Sequence, residues 1–240
     1  MNSSVPSSAP VLSARALRSA PGNPAIDFDL RPGTAVFVEE SPDTLAPGAP
    51  RCLDFLLGLG IPDSAGCGEV LWRGHPWAGI PPDDASAARG ECGVVPAGGG
   101  LLTNLDMDEN AWLPSLWHRR KNAEEELARW AAFFGCAPLP QARAHAVSAG
   151  VRRRIAWTRA FAGNPALLVL EEAAEGASPA DRRLLLDACR RKLAEGAAIV
   201  WIAPALDPDV AEALALAPPA GNMAGRPGRT KSLSNGHRLS

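Results

Sequence analysis

Several features that would assign this chain to a class at once are missing. No Cys-x-x-Cys pair occurs. The five cysteines (Cys52, Cys67, Cys92, Cys136 and Cys189) are scattered and odd in number, which argues against a disulfide framework or a zinc site and for reduced, partly buried thiols. The longest apolar stretch, residues 197–206, is too short to span a bilayer. The first residues lack the basic-then-apolar pattern of a secretory signal, so a cytoplasmic chain is expected, reaching a membrane only through a partner. The net charge is only −2, which gives no general attraction to nucleic acid or acidic lipid. His75, His118, His145 and His237 are dispersed without metal spacing; they read as loop or surface histidines, and no metal site is expected.

What is present is ordinary for a globular protein: 240 residues, 46% hydrophobic and 21% charged, enough to bury a substantial core. Apolar and polar residues alternate over 25–30, as in a half-buried strand, and Arg31-Pro32-Gly33 reads as a turn. Short apolar runs at 35–38, 69–72, 93–95, 166–170 and 198–202 predict further strands, the last two buried on both faces. Helices are predicted over 53–59, over 122–134 with Asn122 as cap, over 148–161 with Ser148 as cap, and over 179–195 with Leu186, Cys189 and Leu193 on one stripe. The segment after 72 reads as a Pro- and Gly-rich loop through Asp84. Strands alternating with helices predict an α/β fold with a mostly parallel sheet, interrupted by a helical insert at about 104–161. Residues 1–10 are Ser- and Pro-rich, and those from 218 onward turn Gly/Pro-rich and then basic; both ends are expected to be flexible, bounding a domain at 11–217.

Residues 148–172 read SAGVRRRIAWTRAFAGNPALLVLEE. This resembles the stretch of ABC transporter ATPases from the signature motif to the Walker B strand, with Arg153, Ile155, Ala156, Arg159, Ala160, Asn164 and Pro165 at matching places. Residues 30–33, 101–114 (LLTNLDMDENAWLP) and 179–202 resemble the family's entry to the P-loop, the segment after its Q-loop and the helix and strand that precede its H-loop. The flavour is nearest the ATPase subunits of lipid-trafficking ABC transporters. The resemblance spans roughly residues 11–217 and implies a P-loop NTPase-like fold, a dimer, and assembly with a transmembrane permease subunit.

The chemistry of that family needs a G-x-x-x-x-G-K-S/T loop, whose backbone N–H groups, Lys and hydroxyl hold phosphate and magnesium. The matching region, residues 39–52 (EESPDTLAPGAPRC), has no Lys and one glycine, Gly48. Counted back from the following helix, Ala49 replaces the Lys and Pro50 the hydroxyl residue; counted forward from Gly33, the register shifts by three. Pro42, Pro47 and Pro50 remove N–H donors. Arg51 is the sole cation there and reads as a solvated loop residue. Losing two or three charge-assisted bonds, each worth about 1.5–3 kcal/mol, weakens ATP binding by on the order of a thousandfold.

The resemblance also implies the following. Ala97 stands at the Q-loop Gln and Pro204 at the H-loop His. Ser178 stands at the D-loop Asp. Glu171 replaces the Walker B Asp, and Glu172 sits at the general base as a vestige. Gly48, Arg51, Glu171, Ser148 and Gly150 are vestigial nucleotide contacts. Ala149 adds a Cβ to the signature loop, and the chain has no Tyr to stack on adenine. No cofactor is expected; ATP and magnesium bind only if the degenerate site retains binding. Trp112 and Trp117 lie where the family forms its groove for the permease, and Arg152-Arg153-Arg154 reads as a solvated helix face.

Three readings follow: a non-hydrolysing ATPase-like subunit assembling with transporter partners, a weak ATPase using Glu172, or a regulatory scaffold outside transport. Ser148 and Gly150 could still face the P-loop of an intact ATP-binding partner.

Overall fold

The structure is a computed structural model that describes residues 9–18, 25–41, 51–59, 68–120 and 122–216. It contains two four-stranded sheets. One is parallel, in the order β3 (Ala35–Glu39), β8 (Ala198–Ala203), β7 (Leu167–Glu171), β6 (Cys92–Val95). The other is antiparallel, in the order β2 (Ile26–Leu30), β1 (Leu12–Leu17), β4 (Glu69–Trp72), β5 (His75–Pro76). The helices are α1 (Cys52–Leu56), α2 (Pro82–Gly90), α3 (Met107–Trp117), α4 (Ala123–Phe133), α5 (Ala149–Phe161), α6 (Pro179–Ala194) and α7 (Pro208–Ala213).

Strands β7 and β8 are the centre of the molecule. Their residues are buried on both faces, as their unbroken apolar runs require. The two-residue period splits them. Leu168, Leu170, Ile199 and Trp201 face a cluster with Trp130, Phe134, Trp157 and Phe161 from α4, α5 and the adjoining turn. Leu167, Val169, Ala198 and Val200 face the opposite side, covered by α1 and by Leu12, Leu17 and Val70 of the antiparallel sheet. Helices α3, α4 and α5 all lie in the connection between β6 and β7. Gly93 lets β6 lie directly against α5, since a Cβ there would come 2.1 Å from the Ala160 carbonyl oxygen.

Several local expectations need correction. Residues 82–84, expected in a loop, open a helix that runs to Gly90: Pro82 begins it and Asp83 and Asp84 occupy its first turn, both favourable at a positive helix end. Asn122 precedes α4 in the left-handed region (φ 55°) and makes no side-chain cap. Helix α1 stops at Leu56, and Leu59 is exposed. On α6 Leu193 is only partly buried, while Lys192 is fully buried, donating to Glu195 and Asn164 with its ammonium near the Trp130 ring. The Arg152–Arg154 run is half-buried rather than solvated. Arg152 donates to the Ala144 and Val147 carbonyls, and Arg154 pairs with buried Asp181 at 2.6 Å. His118 is half-buried against Gly90. Residues 1–8 and 217–240, with the expected tail at 218–240, lie outside the described residues, as do Cys67 and His237.

Candidate functional site

Parallel strands deliver their carboxyl ends to one edge of the sheet, where the loops of α/β folds build their sites. Here that edge gathers Glu40 after β3, Ala97 after β6, and Glu171 and Glu172 at the end of β7. Arg51, just before α1, joins them.

Glu171 is buried, with 2% of its side chain exposed. Its Oε2 accepts a hydrogen bond from the Ala97 backbone N–H at 2.8 Å. Its Oε1 lies 2.8 Å from Arg51 Nε. That contact is an ion pair without an aligned hydrogen bond, because neither atom has a partner by hydrogen-bond geometry. Arg51 is therefore not a solvated loop residue: its side chain is 35% exposed and its charge is turned inward. The expected position of Arg51 failed because its partner is 120 residues away in sequence and invisible to a local reading.

Glu40 is a site residue that the sequence reading passed over. It is buried, and its Oε1 accepts from the Cys52 N–H at 2.8 Å, while its Oε2 has no partner. Burial holds its carboxyl above the usual range, and the nearby Glu171 charge adds to that; the Cys52 N–H and Arg51 oppose it. The available signal was an acid directly after a buried apolar strand.

Glu172 sits at a positive φ (47°) and donates its backbone N–H to Ile202. Burial raises its carboxyl pKa, and so does the neighbouring Glu175. Glu172 lines two cavities. One, of about 510 Å³, lies between the loop after β6 (Pro96, Gly98, Gly99) and the start of α5 (Ala149, Arg153). The other, of about 280 Å³, includes Pro204, Trp201 and Asp207. Arg159 of α5 fixes the first wall by donating to the Gly99 and Gly100 carbonyls.

Ser148 caps α5, its Oγ accepting from the Val151 N–H at 3.3 Å, with Gly150 beside it. Ser178 caps α6 in the same way through the Asp181 N–H. Gly48, with Ala49 and Pro50, lies outside the described residues. Among the described residues no group of three or more His, Cys, Asp or Glu is placed to hold a metal ion. The described cysteines are buried and free; burial pushes the Cys92 thiol up to about 12, which leaves it inert.

Residues 52–175 match the family model described as ABC transporter. The chain belongs to the ABC transporter family. The Nod factor export ATP-binding protein I of Ralstonia nicotianae is 28% identical over 80% of this chain and 59% of its own length. The methionine import ATP-binding protein of Mesorhizobium japonicum is 33% identical over 57% of this chain and 36% of its own. The chain thus spans about half the length of the curated relatives it matches. Two solved structures share the fold at a TM-score of 0.68. An ATP-binding subunit of an ABC transporter is 19% identical and matches over 85% of this chain and 82% of its own. A bacterial ABC transporter cassette solved as a dimer is 16% identical, over 84% and 90%. The P-loop NTPase-like α/β architecture expected from the sequence is therefore present.

By the resemblance, Glu171 would stand where the ABC family supports magnesium. A metal there needs a free carboxylate oxygen. Glu171 has one oxygen on Ala97 and the other against Arg51, so these residues do not fit the ion as they stand.

Proposed function

We propose that the chain is the ATP-binding-type subunit of an ABC transporter that assembles with its partners without hydrolysing ATP. Its unit is residues 11–217, with a helical subdomain at about 104–161. The observation that carries this reading is the surroundings of Glu172. A general base must face a water held and oriented by other polar groups. Glu172 instead has a second acid, Glu175, beside it, which together with burial raises its pKa, and Pro204, which has no side-chain donor, lines its second cavity. Ala97, at the Q-loop position, offers Glu171 only its backbone N–H. Purified protein should turn over ATP at the same background rate with and without Glu172→Gln. A clear drop in the variant would make Glu172 a working base and the chain a weak ATPase.

The partner reading rests on α3. Trp112 is packed partly against the core, while Leu113, Leu116 and Trp117 are exposed, Trp117 at 73%. Such exposed apolar residues favour a protein contact here, and by family likeness its occupant would be a transmembrane permease subunit. Among the described residues no helix is long and apolar enough to cross a membrane. Through such a permease the chain would sit at the inner face of the membrane. Dimerisation with an intact ATP-binding subunit would set Ser148 and Gly150, at the start of α5, against the partner's phosphate loop.

A further inference from the structure

We propose that the Arg51–Glu171 ion pair is a built-in substitute for a bound divalent cation, latching the start of α1 to the end of β7 and closing this corner to metal. The inference deepens the non-hydrolysing reading and rests on it.

The argument starts from charge. A carboxylate as buried as Glu171 is costly unless paired and hydrogen-bonded. Glu40, also buried, stands close enough to act on it electrostatically. Two acids at one sheet edge need a positive charge between them. Arg51 provides it at 2.8 Å from Glu171 Oε1. The remaining oxygen is held by the Ala97 N–H, so three separate segments meet on one carboxylate: the entry to α1, the end of β7 and the loop after β6. On the α1 side, the Cys52 N–H is satisfied by Glu40 and the Arg51 N–H by Asp54 at 2.9 Å. At Glu171 one oxygen accepts a hydrogen bond and the other is met by the Arg51 charge.

A guanidinium is suited to this. It stays charged at any accessible pH and, being covalently attached, does not dissociate. The corner should then keep its geometry in the absence of nucleotide and ignore divalent ions.

The test is a double-mutant cycle on the full chain with Arg51→Met, Glu171→Gln and both, read by denaturant unfolding with and without Mn²⁺. Arg51→Met should lower the folding constant roughly tenfold to a hundredfold, less than for a fully buried pair because Arg51 is partly exposed. The double variant should recover most of that loss, since neutral partners leave no stranded charge. Mn²⁺ should stabilise Arg51→Met, whose acids are then uncompensated, and leave the wild type and both Glu171→Gln variants unmoved.

Additive losses in the cycle would overturn the latch, as would Mn²⁺ stabilising the wild type as much as Arg51→Met. If Arg51→Met does not fold, the double variant decides: recovered folding supports the pair, and continued failure rejects it. Turnover assayed on the same preparations keeps the two ideas apart. An additive cycle without turnover removes the latch alone, whereas Glu172-dependent turnover removes the non-hydrolysing reading whatever the cycle shows.

Discussion

Along β7 the residues from Leu167 to Leu170 are wholly buried among apolar neighbours, and the next two are carboxylates. The same happens on β3, where Phe37 and Val38 are buried in the two cores and Glu40 follows. The middles of these strands are held by burial and packing, which any apolar sequence of the right period and volume can supply. Their ends are held by a few specific charges and N–H groups. A site at the carboxyl ends can therefore be rewritten, as we propose for Arg51, Ala97 and Pro204, while the sheet beneath it stands. Fold and chemistry are separable in this molecule because they occupy different residues of the same strands.

That separation can be broken by experiment. The largest effect should come from the strand middle. Leu168→Ala removes a fully buried side chain from the cluster that includes Trp157 and Phe161, and should cost about 2–5 kcal/mol in denaturant unfolding. A loss near zero would mean the sheet is not close-packed and that the contrast with its ends is false. A smaller effect should come from Ser178→Ala, beyond the end of β7. It deletes the cap that accepts the Asp181 N–H at 3.1 Å and should cost about 1 kcal/mol. A cost equal to that of Leu168→Ala would show that this loop is as much a part of the core as the strand.

The same division governs what could be read from the sequence. Strands β7 and β8 were legible because each is a single apolar run, and α5 because Ser148 precedes a helical pattern and caps it as expected. Strand β1 was not legible: Ala16 takes a positive φ of 50° and the pairing slips between Ala14 and Leu17, so the two-residue period is broken. Helix α2 is hidden in the sequence because Pro82 suits a loop as well as the first turn of a helix. At the site, the sequence put Glu171 and Glu172 directly after an apolar strand, and the structure has them there. Their contacts could not be read. The Arg51–Glu171 and Ala97–Glu171 contacts join segments distant in sequence, and no periodicity encodes such a pairing.

The smallest predicted effect concerns Glu40, and its sign is set by burial. Its carboxyl is held above the usual 4.5, mainly by desolvation and further by Glu171, against the lowering influence of the Cys52 N–H and Arg51; Asp54 also raises it. Between 4.5 and the raised value the native state holds a proton that the unfolded chain has released. In that window the native state binds more protons, so stability falls as pH rises. Glu40→Gln keeps an oxygen to accept the Cys52 N–H and removes the charge. The variant should be more stable than the wild type at neutral pH, with the gap closing as the pH is lowered towards 4.5. Melting temperatures of the two proteins across that range measure this directly. A gap that stays constant with pH would assign the difference to shape rather than charge. A gap that widens on acidification would mean Glu40 is stabilised as a carboxylate by Arg51, and the end of β3 would then belong with the ion pair at Glu171 as one charged unit.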